Sequence, residues 1–171
     1  MKALVLTALM ASAGLAQAAE TVELKLAGPD GPGKVIGTVS IAQNKYGTVL
    51  TPDLKDLPPG VHGFHLHQNP SCAPANENGK PVPAGAAGGH WDPDKTNAHK
   101  GPYDDGSHRG DLPALYVGAD GKATYPVLAP RLKASDFKGH ALMVHAGGDN
   151  HSDYPEKLGG GGARVACGVV Q

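Results

Sequence analysis

The chain has 171 residues, with 15 Lys and Arg against 16 Asp and Glu and a formal net charge of −1. That balance excludes the broad basic footprint of a nucleic-acid binder. With 25 Gly and 15 Pro, and no long apolar stripe at helical period, the composition also excludes a helical bundle.

In chain order, residues 1–18 read as an export signal: Lys2, a mainly apolar run from Ala3 to Leu15, and the small-x-small site Ala16-Gln17-Ala18. The run is too short to cross a bilayer, which takes about 20 residues, and no other segment resembles a membrane helix. Residues 19–171 remain as a single domain. Thr21 to Leu26 places Val22, Leu24 and Leu26 on one face, and residues 34–43 carry the alternating Val39 and Ile41. Residues 46–50 and 61–67 read as further strands. Residues 115–117 and 123–128 flank Gly118 and Asp120-Gly121, which predicts a hairpin, and Pro126 puts its second strand at a sheet edge or bulge. Residues 140–145 and 164–169 bring the total to about eight strands, so an all-β sandwich or barrel is expected. Two long segments, 68–112 and 146–163, have no strand pattern, and loops of that length are functional or disordered.

Chemistry concentrates on six histidines and one acid. His65 and His67 form an H-x-H pair whose side chains share one face of a strand, roughly 6.6 Å apart. His90, His99 and His108 follow at intervals of nine residues, then Asp111 and His145. Imidazole suits copper and zinc, and a carboxylate added to histidines suits tetrahedral zinc, so the spacing points to two metal sites with a shared ligand. Cys72 and Cys167 are an even pair in an exported chain and are expected as a disulfide, two buried thiols being the alternative. No G-x-S-x-G is present to support a serine hydrolase.

Gly63-Phe64-His65-Leu66-His67, Gly88-Gly89-His90-Trp91-Asp92-Pro93, Gly110-Asp111-Leu112-Pro113 and Gly161-Gly162-Ala163-Arg164-Val165-Ala166-Cys167-Gly168 resemble the copper,zinc superoxide dismutases, and most closely their bacterial periplasmic branch. The resemblance implies a Greek-key, Ig-like antiparallel β-sandwich with two functional loops. It implies copper on His65, His67, His90 and His145, and zinc on His90, His99, His108 and Asp111, His90 bridging the two. The implied reaction is dismutation of superoxide to oxygen and hydrogen peroxide, with His90 as ligand and proton store and Arg164 guiding the anion. Asp149 matches the carboxylate that orients ligands of both metals, with Asp153 as the competing choice. The location implied is the periplasm, where the enzyme protects the cell envelope.

Of the other histidines, His62 is expected in a core hydrogen-bonding role, while His140, a surface residue at the start of a strand, and His151, in a Gly-rich loop, are expected to bind nothing. The steering lysine is Lys80 or Lys157. Trp91 packs within its loop or anchors a homodimer, a monomer being the alternative. Partners from the nucleic-acid and membrane classes are not expected. Against the copper,zinc enzyme stand a metal-binding relative without activity, which would lack a copper ligand, His90 or Arg164, and a copper-only dismutase, which would lack His99, His108 and Asp111.

Overall fold

The computed structural model describes residues 20–171; the export signal read in residues 1–18 lies outside them. Eleven strands are present among the described residues: β1 (Glu20–Gly28), β2 (Gly31–Asn44), β3 (Gly47–Leu54), β4 (Gly60–His62), β5 (Phe64–His67), β6 (Ala75–Glu77), β7 (Lys80–Val82), β8 (Leu115–Val117), β9 (Val127–Ala129), β10 (Ala141–His145) and β11 (Arg164–Val169). Among the described residues, helix is confined to three short 3-10 turns, and none is long and apolar enough to cross a membrane.

Seven strands form one antiparallel sheet in the order β5-β10-β11-β1-β2-β3-β9. β4 continues the line of β5 across Gly63, which donates to Gly147 O (2.8 Å) and accepts from the His145 amide (2.8 Å), and β4 pairs with β8. With β4 and β5 counted as one, eight strands curl around the core, and the small hairpin β6–β7 stands apart.

Alternation along β5 and β10 explains where the chemistry sits. Phe64 and Leu66 on β5, with Leu142 and Val144 on β10, join the core with Leu24, Ile36, Val39, Ile41, Leu50 and Phe137. Each such side chain contributes about 1.5–3 kcal/mol by leaving water. The intervening His65, His67, Ala141, Met143 and His145 point to the opposite face, yet they too are buried. The two long loops lie over them. Ala84 and Ala87, from the first loop, pack on Ala141, Met143 and Cys167 in a second apolar cluster.

Three strand expectations are corrected. Residues 115–128 do not form a hairpin: β8 pairs with β4 and β9 with β3, and only the turn closed by Gly118 N–H to Lys122 O (2.8 Å) remains. Pro126 does precede an edge strand, where its missing N–H costs no ladder bond. The strand expected over 61–67 is split at Gly63 between two sheets. Segment 68–112 is not wholly without strands, because Ala75↔Val82 and Glu77↔Lys80 pair as β6–β7.

Candidate metal centre

His65 and His67 on β5 lie opposite Met143 and Ala141 of β10, and His145 ends β10 opposite Arg164 of β11. The remaining residues come from the first long loop and are fixed by its backbone. Leu66 N–H donates to Gly110 O, Gly110 N–H to Trp91 O, and Trp91 N–H to Leu66 O, each at 2.8 Å. This closed triangle sets the residue between the two β5 histidines against the residue after His90 and the residue before Asp111. It works only with glycine at 110, where a Cβ would stand 2.1 Å from Leu66 O and 2.8 Å from Trp91 N.

Three groups of donor atoms result, each with all its atoms within 4.8 Å of one another: His65, His67, His90 and His145; His90, His99, His108 and Asp111; and His65, His99 and Asp149. His90 belongs to the first two. Its Nδ1 lies 2.8 Å from Asp111 Oδ1, which leaves Nε2 for the first group. Within that group, Nε2 of His67 and Nε2 of His145 meet at 3.3 Å. In the second group, His99 Nδ1 is 3.0 Å from Asp111 Oδ2 and His108 Nδ1 is 3.4 Å from Oδ1. The far sides of the rings are held by acceptors. His67 Nδ1–H donates to Gly88 O (2.8 Å) and His145 Nδ1–H to Gly162 O (3.1 Å). Asp149 lies between the groups and accepts from His65 Nε2–H and His99 Nε2–H, both at 2.8 Å. Asp153 instead accepts from the backbone amides of His99 (2.8 Å) and Leu158 (3.1 Å). Acceptors of this kind fix ring tautomer and direction.

Burial keeps the first group neutral. It pushes His65 and His67 well below the ordinary imidazole value, with His90 nearby adding to the effect, and brings His145 down to about 4. His99 goes the other way: burial works against its charge, but the Asp111 and Asp149 carboxylates on either side raise it to about 9. Both carboxylates are held well below the usual range although burial opposes this; the His108, His90 and His99 rings hold Asp111 down, and His65, His99 and the His151 amide hold Asp149 down.

Arg164 is half-buried, and its guanidinium donates to Ala84 O and Gly88 O, each at 2.6 Å. Gly88 O thus serves both Arg164 and His67. The Cys72–Cys167 disulfide, with Cα atoms 5.7 Å apart, ties the same loop to β11 three residues beyond Arg164.

The remaining histidines divide. His62 is buried with both ring nitrogens 2.7 Å from carbonyl oxygens, of His145 and Pro58. His140 is corrected: it precedes β10, is half-buried, approaches Gln68 O (2.8 Å) and His67 O (3.2 Å), and packs on Trp91 with ring centroids 4.8 Å apart. His151 is also not idle, since its amide donates to Asp149 Oδ1 (2.7 Å) and its Nδ1 lies 3.4 Å from the same oxygen. Sequence reasoning missed Ser107, fully buried, whose hydroxyl donates to Asp111 Oδ2. Its only signal was a small hydroxyl residue beside His108. Trp91 packs against the main core. Lys80, on the β6–β7 hairpin, and Lys157 are both exposed.

The donor atoms fit metal ions. Nδ1 of His65 is buried with no hydrogen-bond partner, a costly state for a polar atom unless a cation takes the lone pair, and Nδ1 of His99 and of His108 faces only the Asp111 carboxylate. Three imidazoles with one carboxylate make a closed zinc set, and four imidazoles suit copper.

Comparisons with known proteins agree. The profile of the family described as "Copper/zinc superoxide dismutase (SODC)" matches residues 35–170. The "Superoxide dismutase [Cu-Zn]" of Photobacterium leiognathi is 65% identical over 139 residues, which cover 81% of this chain and 80% of that protein. The solved "Cu/Zn superoxide dismutase from Brucella abortus" superposes with a TM-score of 0.88 at 54% identity, over 90% of this chain and 100% of that one. The solution structure titled as the monomeric copper, zinc superoxide dismutase from Salmonella enterica gives 0.81, also at 54% identity, with the same coverage of 90% and 100%. Profile, relatives and donor geometry converge, and the chain belongs to the copper/zinc superoxide dismutase family.

Proposed function

We propose that this superoxide dismutase works through a copper ion on His65, His67, His90 and His145 and a zinc ion on His90, His99, His108 and Asp111, bridged by His90. The observation that carries the reading is the membership of His90 in both donor groups. Two superoxide anions and two protons become one oxygen and one hydrogen peroxide. Bound copper supplies the one-electron redox change that zinc cannot.

The chain's own residues do the rest. His65, His67 and His145 are kept unprotonated by burial and aimed by Asp149, Gly88 O and Gly162 O. With both ions held, His90 Nε2 would carry a proton to the reduced product, its Nδ1 remaining turned toward Asp111. His99, His108 and Asp111 form a closed structural set that orders the first loop. Arg164, its fork fixed on two carbonyls, draws the anion toward the centre and orients it.

Steering falls to Lys80. Lys80 is exposed on the β6–β7 hairpin, paired with Glu77. The export signal in residues 1–18 places the enzyme in the periplasm, protecting the cell envelope. Both donor groups are built from one chain's own residues, so a monomer carries a complete centre, and Trp91 packs on His140 and the main core.

Stepwise titration tests the assignment. The metal-free chain should take up one zinc and one copper. His99→Ala should lose zinc and keep copper, and His67→Ala should do the reverse. Loss of neither ion from either variant would sink the two-site reading.

A further inference from the structure

Residues 91–114 contain no helix or strand, yet they carry His99, His108 and Asp111. One side chain from outside the loop gathers them. Arg131 follows β9, and its guanidinium donates to four carbonyl oxygens: Nε–H to Pro102 O (2.9 Å), Nη1–H to Ser107 O (3.2 Å), and Nη2–H to Gly101 O (3.2 Å) and His108 O (2.7 Å). These belong to the two ends of segment 101–108, which joins His99 to His108. The planar fork fixes the directions of its donors, so the four carbonyls are held in one arrangement.

Ser107 passes that arrangement inward. Its Oγ accepts from the Lys100 amide (2.6 Å), and its hydroxyl donates to Asp111 Oδ2. Arg131 thus holds Ser107 and His108 by their carbonyls, and Ser107 holds Lys100, next to His99, and the Asp111 carboxylate.

We propose that Arg131, acting through Ser107 and the carbonyls of segment 101–108, is the positioning residue that converges His99, His108 and Asp111 on zinc. The proposal rests on the zinc reading above. It assigns Arg131 no contact with metal or substrate.

The test measures zinc affinity by chelator competition for the parent chain and for Arg131→Gln, Arg131→Lys, Ser107→Ala and His99→Ala. Cobalt(II) is loaded in place of zinc in parallel, because its visible absorption follows coordination geometry. Arg131→Gln should weaken zinc about 10–100-fold and change the cobalt spectrum, while copper affinity and the disulfide are kept. Arg131→Lys, with a point charge in place of the fork, should fall between. Ser107→Ala should weaken zinc about tenfold without lowering the melting temperature of the metal-free chain. If Arg131→Gln fails to fold, Arg131→Lys and Ser107→Ala decide.

Parental zinc affinity and cobalt spectrum in the Arg131 and Ser107 variants, with zinc lost from His99→Ala, would overturn the proposal alone. Equal weakening of copper and zinc with an unchanged cobalt spectrum would also overturn it, by making Arg131 a general structural residue. Zinc retained by His99→Ala would overturn the zinc reading beneath it.

Discussion

Leu66 and Gly110 are joined at 2.8 Å by a backbone hydrogen bond, and the contact is so close that a methyl group on Gly110 would stand 2.1 Å from Leu66 O. Gly110→Ala should therefore open the triangle that sets β5 against His90 and Asp111. A loss of about 2–4 kcal/mol is expected in denaturant unfolding of the metal-free chain, with weakened uptake of both metals. Gly89→Ala is the control, because a Cβ there meets nothing within 4 Å. Equal stability of the two variants would contradict the role of the triangle.

Arg164→Ala should lower kcat/KM about 10–100-fold through lost local attraction of the anion, with copper and zinc content unchanged. Its two anchors, Ala84 O and Gly88 O, belong to the loop and not to a ligand side chain. Metal analysis beside the kinetics separates the cases: loss of copper would show that Arg164 supports the site instead of guiding substrate.

Reducing or replacing the Cys72–Cys167 bridge should cost about 4–5 kcal/mol in the chain-entropy account, given the 95-residue separation. Because the bridge holds the first loop to β11, turnover should fall as well. A Cys72→Ser, Cys167→Ser chain with parental unfolding midpoint and activity would refute this.

The metal-free chain should lose stability on acidification. His65 and His67 fold with values well below 6.5 and His145 with about 4, so between about pH 4 and 6.5 the unfolded chain binds more protons and stability rises with pH. Asp111 and Asp149, held below 3.8, add stability that is present above that value and lost as pH falls further. His99 works in the opposite sense: its contribution is complete below 6.5 and fades as pH rises through about 9. Thermal melts from pH 4 to 7 should show a rising midpoint. A flat profile would mean the rings are not held neutral.

What could be read from the chain follows from the range of the interactions involved. Alternation of Phe64 and Leu66 with His65 and His67 is local, and it announces both a core face and a pair of candidate ligands. The Asn78-Gly79 turn of β6–β7 is equally local, a hairpin signal in residue type alone; both residues take positive φ, 52° and 80°. The hairpin expected at 115–128 failed for the opposite reason, since β8 and β9 each prefer a partner more than 50 residues away in the chain. Asp149 is legible only through the resemblance, while the contacts of Arg131, Ser107 and His140 are not legible at all. Their roles lie in bonds to distant carbonyls or to a carboxylate, which carry no signature in residue type or spacing.

The most direct test is superoxide dismutation by the purified chain, with copper and zinc measured on the same sample. The account predicts dismutation in proportion to copper content, with one copper and one zinc per chain at saturation, and loss of the activity in His67→Ala. A fully loaded, disulfide-bonded chain that leaves superoxide untouched would contradict it and mark the protein as a metal binder on a dismutase fold.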